Sequence, residues 1–158
     1  MRRAGPGFVL GVLCLLAGPA GAETDAAHRI VTPAELAWKP AGAAFPPGSE
    51  VAALYGDPSK PGPFALRVRA PKGYRLAPHT HPGPELVTVL SGALRIGVGG
   101  RVDPAAEQVV RTGGFSAMPP GLAHWVAVEE DVVLQIGGDG PWGIDYLDPE
   151  DDPRRARK

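Results

Sequence analysis

From Glu50 onward, short runs of β-branched, aliphatic and aromatic residues alternate with glycine, proline and aspartate at close, regular spacing. The chain contains 22 glycines and 19 prolines, and both residue types interrupt regular secondary structure. Many short strands without a long amphipathic helix are typical of a sandwich or a barrel. The pattern therefore predicts an all-β fold, and 158 residues suffice for one domain with a sizeable core but not for two.

The glycine and proline positions divide this β region into ten short strands. We predict strands at 50–55, 63–70, 74–81, 85–90, 93–98, 107–111, 114–118, 123–129, 131–137 and 143–147. Ser91-Gly92 has the composition of a tight turn joining two of these strands. Residues 103–107 are long enough for a single helical turn and no more.

The first 22 residues have the pattern of a signal peptide. Arg2 and Arg3 form a charged start, residues 8–16 form an apolar stretch, and Ala20-Gly21-Ala22 resembles a cleavage site. The apolar stretch is shorter than the roughly 20 residues that span a bilayer, so we expect cleavage and no stable membrane insertion. The mature protein is expected in the bacterial periplasm or outside the cell, without the single cysteine, which lies in the leader.

The remaining chain is expected to form an arm, a barrel and a tail. Residues 23–47, rich in Ala and Pro, would be an N-terminal arm that Trp38 could pin to the core. Residues 48–148 would be the β-barrel and residues 149–158 a polar tail. Loss of residues 1–22 removes two of 16 basic residues and none of 17 acidic ones, leaving a formal charge of about −3. This balance argues against a nucleic-acid partner.

Two histidines and a carboxylate lie close together in the middle of the chain. His79 and His81 are two residues apart, so on a strand both imidazoles point to one face. The Pro-Gly-Pro sequence after them turns the chain, and Glu85 would open the next strand facing the same space. Two imidazoles and a carboxylate that converge form most of a metal site.

The glycines and a third histidine extend this pattern to a known family. The segment Gly73-x5-His79-x-His81-x3-Glu85-x6-Gly92 resembles the first motif of the cupin superfamily at every spacing. The segment Gly113-x5-Pro119-x-Gly121-x2-His124 resembles most of the second motif, whose last position, usually Asn, is Val128 here. The chain is thus similar to small, single-domain, cupin type-2 proteins, and the resemblance implies a double-stranded β-helix, or jelly-roll barrel.

The resemblance also implies a set of metal ligands, namely His79, His81, Glu85 and His124. Such ligands suit one divalent transition ion: Fe, Mn, Ni, Co, Cu or Zn. One carboxylate would leave the site with a formal charge of +1, which favours an anionic, chelating small-molecule ligand. The fourth histidine, His28, lies in the predicted arm without such neighbours. Cupins often pair through an edge sheet, so a homodimer is expected.

Strand alternation predicts an apolar wall around the metal, because residues two apart from Glu85 and from His124 share their face. The pocket candidates on these strands are Val87, Val89, Val126 and Val128. Trp142, in a glycine-rich loop, is a fifth candidate and could be a lid over the barrel or a corner that plugs its core. Trp125 would point outward, into an interface or under the arm.

Three functions agree with these features. The first is a metal-dependent, dioxygenase-like enzyme acting on a small oxygenated molecule; the mature chain offers no persuasive serine or cysteine nucleophile, so catalysis would depend on the metal. The second is a non-catalytic module that binds or senses a ligand or metal, similar to cupin domains of some transcriptional regulators and anti-sigma factors. The third, a sugar isomerase or epimerase, is disfavoured because the predicted wall is aliphatic.

Overall fold

The computed structural model describes residues 28–155, in which nine strands and three short 3₁₀ turns are found. The strands are β1 (Lys39–Pro40), β2 (Glu50–Tyr55), β3 (Gly62–Ala70), β4 (Arg75–Thr80), β5 (Glu85–Val98), β6 (Glu107–Arg111), β7 (Phe115–Met118), β8 (His124–Gly140) and β9 (Asp145–Tyr146). The 3₁₀ turns are Pro33–Glu35, Pro104–Ala106 and Pro149–Asp151. Across 28–155, no helix is long and apolar enough to cross a membrane. The predicted signal peptide lies outside the described residues.

All nine strands belong to one curled sheet, built around the long strands β5 and β8. These two strands pair antiparallel from Leu86 to Val98. The C-terminal half of β8 also pairs with β3, whereas its first residues pair with β4. β5 likewise pairs with β7 near its start and with β6 near its end. The sheet therefore folds into two facing halves that share β5 and β8, which confirms the predicted all-β jelly-roll barrel.

Gly92 marks the bend of β5 and corrects the predicted hairpin at this point. Ser91 and Gly92 continue the strand, and the register against β8 shifts between Val89 and Leu94. Gly92 has φ +78°, and a Cβ there would lie 2.1 Å from the carbonyl oxygen of Asp131. Only glycine allows both the backbone angle and this close approach. For the same reason of continuity, the strands predicted at 123–129 and 131–137 are one strand, β8.

The core fills the space between the two halves of the sheet. β3 shows the expected alternation, with Phe64, Leu66 and Val68 buried, and residues such as Val89 and Leu134 meet them from β5 and β8. Each such side chain stabilises the fold by about 1.5–3 kcal/mol when it leaves water. The core therefore follows from strand alternation.

The described part of the arm lies along the edge of the sheet. β1 pairs antiparallel with β2, so Pro40 lies in a short edge strand. Trp38 stacks its ring 4.5 Å from the guanidinium of Arg69, an exposed residue of β3. Trp38 therefore attaches the arm to the outer face of the sheet through a cation–π contact, and not to the core as predicted. The strand predicted at 143–147 is shorter, comprising only Asp145–Tyr146.

Candidate metal centre

Three strands bring the predicted ligands together at one end of the barrel. His79 lies in β4 directly opposite His124, the first residue of β8. His81 follows β4, and Glu85 begins β5 after the intervening turn. All four side chains are buried, each with an exposed fraction of 6% or less. Buried polar groups of this kind need partners, and the geometry of each imidazole identifies them.

Each imidazole uses its Nδ1 atom to bond a backbone carbonyl. The Nδ1 atoms of His79, His81 and His124 lie 2.7, 2.6 and 3.0 Å from the carbonyl oxygens of Ala77, Gly143 and Leu122, respectively. A carbonyl oxygen can only accept, so each Nδ1 carries the proton and donates it. The Nε2 lone pair of each ring is then free. Metal-binding histidines are oriented in the same way by a backbone or carboxylate acceptor.

The ring nitrogens converge with Glu85. One ligand atom of each of the three histidines lies within 4.8 Å of those of the other two. Oε2 of Glu85 lies 3.4 Å from Nε2 of His81 and 3.5 Å from Nε2 of His124. Those two Nε2 atoms are buried and have no hydrogen-bond partner among the described residues. Ligand atoms around an ion with bonds of about 2.1 Å lie roughly 3.0–3.4 Å apart, and the distances from Glu85 to His81 and His124 are close to that spacing.

The electrostatics of the site favour an ionised carboxylate and a neutral His79. Burial, reinforced by His124, lowers the pKa of His79 to about 3. Burial alone would raise the pKa of Glu85, but His124 and His81 together hold it below its usual value. Burial opposes protonation of His81, yet the neighbouring Glu85 raises its pKa. A buried negative charge is thus compensated either by a proton on His81 or by a cation between the rings.

The donor atoms face a small apolar cavity of about 60 Å³. Of the pocket candidates, Val87, Val126, Val128 and Trp142 line it. Val89 does not, because it is fully buried in the core at the point where the register of β5 shifts. Of the two candidates on β5, only Val87 therefore lines the cavity.

The sequence pattern does not predict several other residues that line the cavity. Phe45 comes from the arm, Tyr74 precedes β4, and Ile144 follows the glycine-rich loop. None of them belongs to an alternating pattern that includes a predicted ligand. Met118 also lines the cavity while Phe115 is exposed, in agreement with their opposite faces on β7. The cavity thus receives side chains from loops as well as strands.

Trp142 closes one side of the site. Its ring stacks on His81 with a centroid distance of 4.7 Å and an angle of 17°, and it meets Phe64 at 5.6 Å. Its Nε1 atom is buried without a hydrogen-bond partner in the range 28–155. Of the two predicted roles, the packing corner describes Trp142 better than a lid, since the ring packs against the core.

Trp125 corrects a second prediction. It points away from the cavity, as expected, but the contacts that the structure gives it within residues 28–155 come from β5 and from Glu107 at the start of β6. The side chain is 2% exposed because Gly97, its partner on β5, has no side chain, and a Cβ there would lie 2.0 Å from the indole. The indole Nε1 donates to Oε1 of Glu107 at 3.2 Å. The fold itself therefore buries this tryptophan.

Fold and site together define a jelly-roll barrel with three imidazoles positioned to bind a metal. The family model Cupin_2, a cupin domain, matches residues 66–136, which contain every candidate ligand. Residues 66–136 therefore form a cupin domain, and the described chain has the fold of one small domain of that kind. No curated protein matches its sequence.

Solved structures agree on the fold. The polyketide cyclase RemF from Streptomyces resistomycificus is similar with a TM-score of 0.67 and 12% identity, covering 82% of this chain and 92% of that one. A proposed acetylacetone dioxygenase from Methylibium petroleiphilum PM1 gives 0.62 and 21%, covering 80% and 85%. An RmlC-like cupin from Shewanella frigidimarina NCIMB 400 gives 0.57 and 16%, covering 72% and 91%. At these identities the likeness concerns the fold alone.

Proposed function

We propose that this cupin is a metal-dependent enzyme, of the dioxygenase-like oxidative class, that acts on a small oxygenated and preferably anionic molecule. The observation that carries the proposal is the convergence of protonated-Nδ1 imidazoles on Glu85, with the Nε2 atoms of His81 and His124 buried and without a hydrogen-bond partner among the described residues. Leaving such atoms unpaired costs about 1–3 kcal/mol each. A bound divalent ion would offset that cost.

In this proposal His79, His81, Glu85 and His124 hold the ion, whose chemistry is Lewis-acid activation and, for iron or manganese, electron transfer. The backbone carbonyls of Ala77, Gly143 and Leu122 fix the rings, so that little reorganisation is needed when the ion binds. The aliphatic wall excludes water and strengthens electrostatic attraction for an anionic oxygen ligand.

Oxygen consumption tests the enzymatic proposal. The Fe(II)-loaded protein would be given a panel of catechols, enediols and keto acids, beside the His79→Ala variant as a control. Substrate-dependent uptake that disappears in the variant supports an oxidative enzyme. Uptake that is equal in the variant, or absent with every substrate, contradicts it.

A second candidate is a binding module without turnover. The small volume of the cavity favours it, because about 60 Å³ leaves little room for both a substrate and a second reactant. Tight, metal-dependent ligand binding without oxygen uptake would support this candidate. A sugar isomerase has less support, since beyond the four candidate ligands the only other polar side chains at the cavity are those of Tyr74 and Trp142 among the residues described.

A further inference from the structure

An open groove lies between the N-terminal arm and the barrel, with a volume of about 570 Å³. Residues of the arm form one side, and residues of β2 and β3 form the other. The groove shares three lining residues with the metal-site cavity, namely Phe45, Trp142 and Ile144. The groove therefore adjoins the cavity that holds the imidazoles, with these three side chains at the boundary.

The lining of the groove is mainly apolar. Ala37, Val51, Ala53 and Leu66 contribute to it in addition to the shared residues. Its charged side chains are Arg29 and Lys39, and within residues 28–155 no acidic side chain lines it. Such a surface suits an apolar ligand body and disfavours a cationic one.

Two hydrogen bonds hold the segment of the arm that lies where the groove meets the cavity. The hydroxyl of Tyr146 donates to the carbonyl oxygen of Ala44 at 2.8 Å, and that of Tyr74 donates to Pro46 at 3.1 Å. These bonds fix the backbone on both sides of Phe45. Phe45 therefore lines both spaces from a place that the fold determines, as Trp142 and Ile144 do from the barrel side.

The two spaces differ in size and therefore suit different parts of a ligand. A space of about 60 Å³ holds only a few non-hydrogen atoms, enough for a chelating head group and not for a larger molecule. A ligand body attached to that head would extend past Phe45 into the adjoining groove.

We propose that the arm groove is the second half of the substrate site and that the substrate is amphipathic. Its small oxygen-bearing head would lie at the imidazoles and its neutral or anionic apolar body would lie along Ala53 and Leu66. The inference rests on the proposed function, because the head group needs the metal site. It assigns the selection of substrate length to the arm and β2, away from the metal ligands.

Alkyl hydroxamates test this inference, since their head chelates a divalent ion and their tail length can be varied. The full chain loaded with Zn(II) would be titrated calorimetrically with acetohydroxamate and with octanohydroxamate. A buried methylene contributes about fourfold in affinity, so we expect the longer probe to bind at least about 30-fold more tightly. Ala53→Phe, which fills the groove, should weaken octanohydroxamate about tenfold and acetohydroxamate less than about twofold.

Ala117→Phe is the matched control, because Ala117 is an exposed strand residue of β7 that lines neither the groove nor the cavity. This variant should bind both probes as the unmodified chain does. Metal-dependent binding of both probes without a gain from chain length, or an equal effect of Ala53→Phe on both, overturns the inference alone. Equal binding of acetohydroxamate to metal-loaded and metal-free protein overturns the proposed function and the inference with it.

Discussion

His124 and Trp125 are neighbours in the chain and are equally buried, at 1% and 2% exposed, yet they lie in two differently built regions. His124 faces the cavity, where two imidazole Nε2 atoms have no protein partner among the described residues. Trp125 faces outward, where its indole donates to Glu107 and its ring fills the space left by Gly97. The polar atom of the outer region is paired within the fold, whereas the inner region leaves these two Nε2 atoms without a partner among residues 28–155.

The comparison separates structural from functional burial. A buried polar atom without a partner reduces stability, so it persists where a ligand supplies the missing interaction. The indole of Trp125 needs no ligand. Changes in the outer region should therefore alter the stability of the protein with and without metal alike, and changes in the inner region should alter the response to metal.

The largest effect is expected from Gly97→Ala. The added Cβ would lie 2.0 Å from Trp125, and neither the strand backbone nor the enclosed ring can move far. Overpacking of this kind should lower the free energy of unfolding by about 3 kcal/mol, measured by chemical denaturation.

Gly137→Ala is the control for this substitution, because a Cβ at this β8 position meets only the carbonyl of Phe64, at 3.6 Å. It should cost less than about 1 kcal/mol. Equal losses in the two variants would show that the fit of Gly97 around Trp125 is not what stabilises the outer region.

Metal addition should have the next largest effect. If Zn(II) binds the folded site and not the unfolded chain, a concentration 100-fold above the Kd stabilises the protein by about 2.7 kcal/mol. The melting temperature should rise with Zn(II), fall again with a chelator, and stay unchanged by either in His79→Ala.

His28→Ala serves as the matched histidine control, since His28 is exposed in the arm, away from the other three. It should keep the full increase in melting temperature. A shift that survives in His79→Ala but not in His28→Ala would place the metal outside the cavity. The inner region would then not be the one that responds to metal.

The metal-site residues could be predicted because their placement follows from local rules. Strand alternation puts His79 and His81 on one face, and a Pro-Gly-Pro turn returns Glu85 toward them. The position of His124 opposite His79 required the cupin resemblance, since the pairing joins residues 45 positions apart in the chain.

Contacts between distant segments were not predictable. Gly92 has the same local sequence whether it ends a hairpin or bends a strand, and its close approach to Asp131 in β8 is visible only in the structure. Gly97 and Trp125 meet through a register that no local pattern specifies. Phe45 reaches the cavity because the hydroxyls of Tyr74 and Tyr146 bond the backbone carbonyls of its two neighbours. These tyrosines lie 28 and 102 positions away in the chain from the residues that they bond.

Trp125→Phe is expected to have a smaller effect than metal addition. The change removes a hydrogen bond and part of a ring from a filled space, so the free energy of unfolding should fall by about 2 kcal/mol. Because Arg95 still approaches Glu107 at 3.8 Å, the carboxylate keeps a partner. The Zn(II)-dependent increase in melting temperature should remain as in the unmodified chain. Its loss would show that the two regions are not independent.

Tyr146→Phe provides the smallest effect and the sharpest test, because Tyr146 lies 6.2 Å from His79 but has its hydroxyl paired with Ala44. Burial raises the pKa of Tyr146, so the hydroxyl stays protonated and donates at neutral pH. If a buried polar group with a protein partner is structural even when it lies near the imidazoles, Tyr146→Phe should lower the free energy of unfolding by about 1 kcal/mol. The Zn(II)-dependent rise in melting temperature should then remain intact. Leu147→Ala, at an exposed neighbouring position, controls for local disturbance. A lost Zn(II) response with unchanged stability would assign Tyr146 to the metal centre. Distance to the imidazoles would then separate functional from structural residues better than hydrogen bonding does.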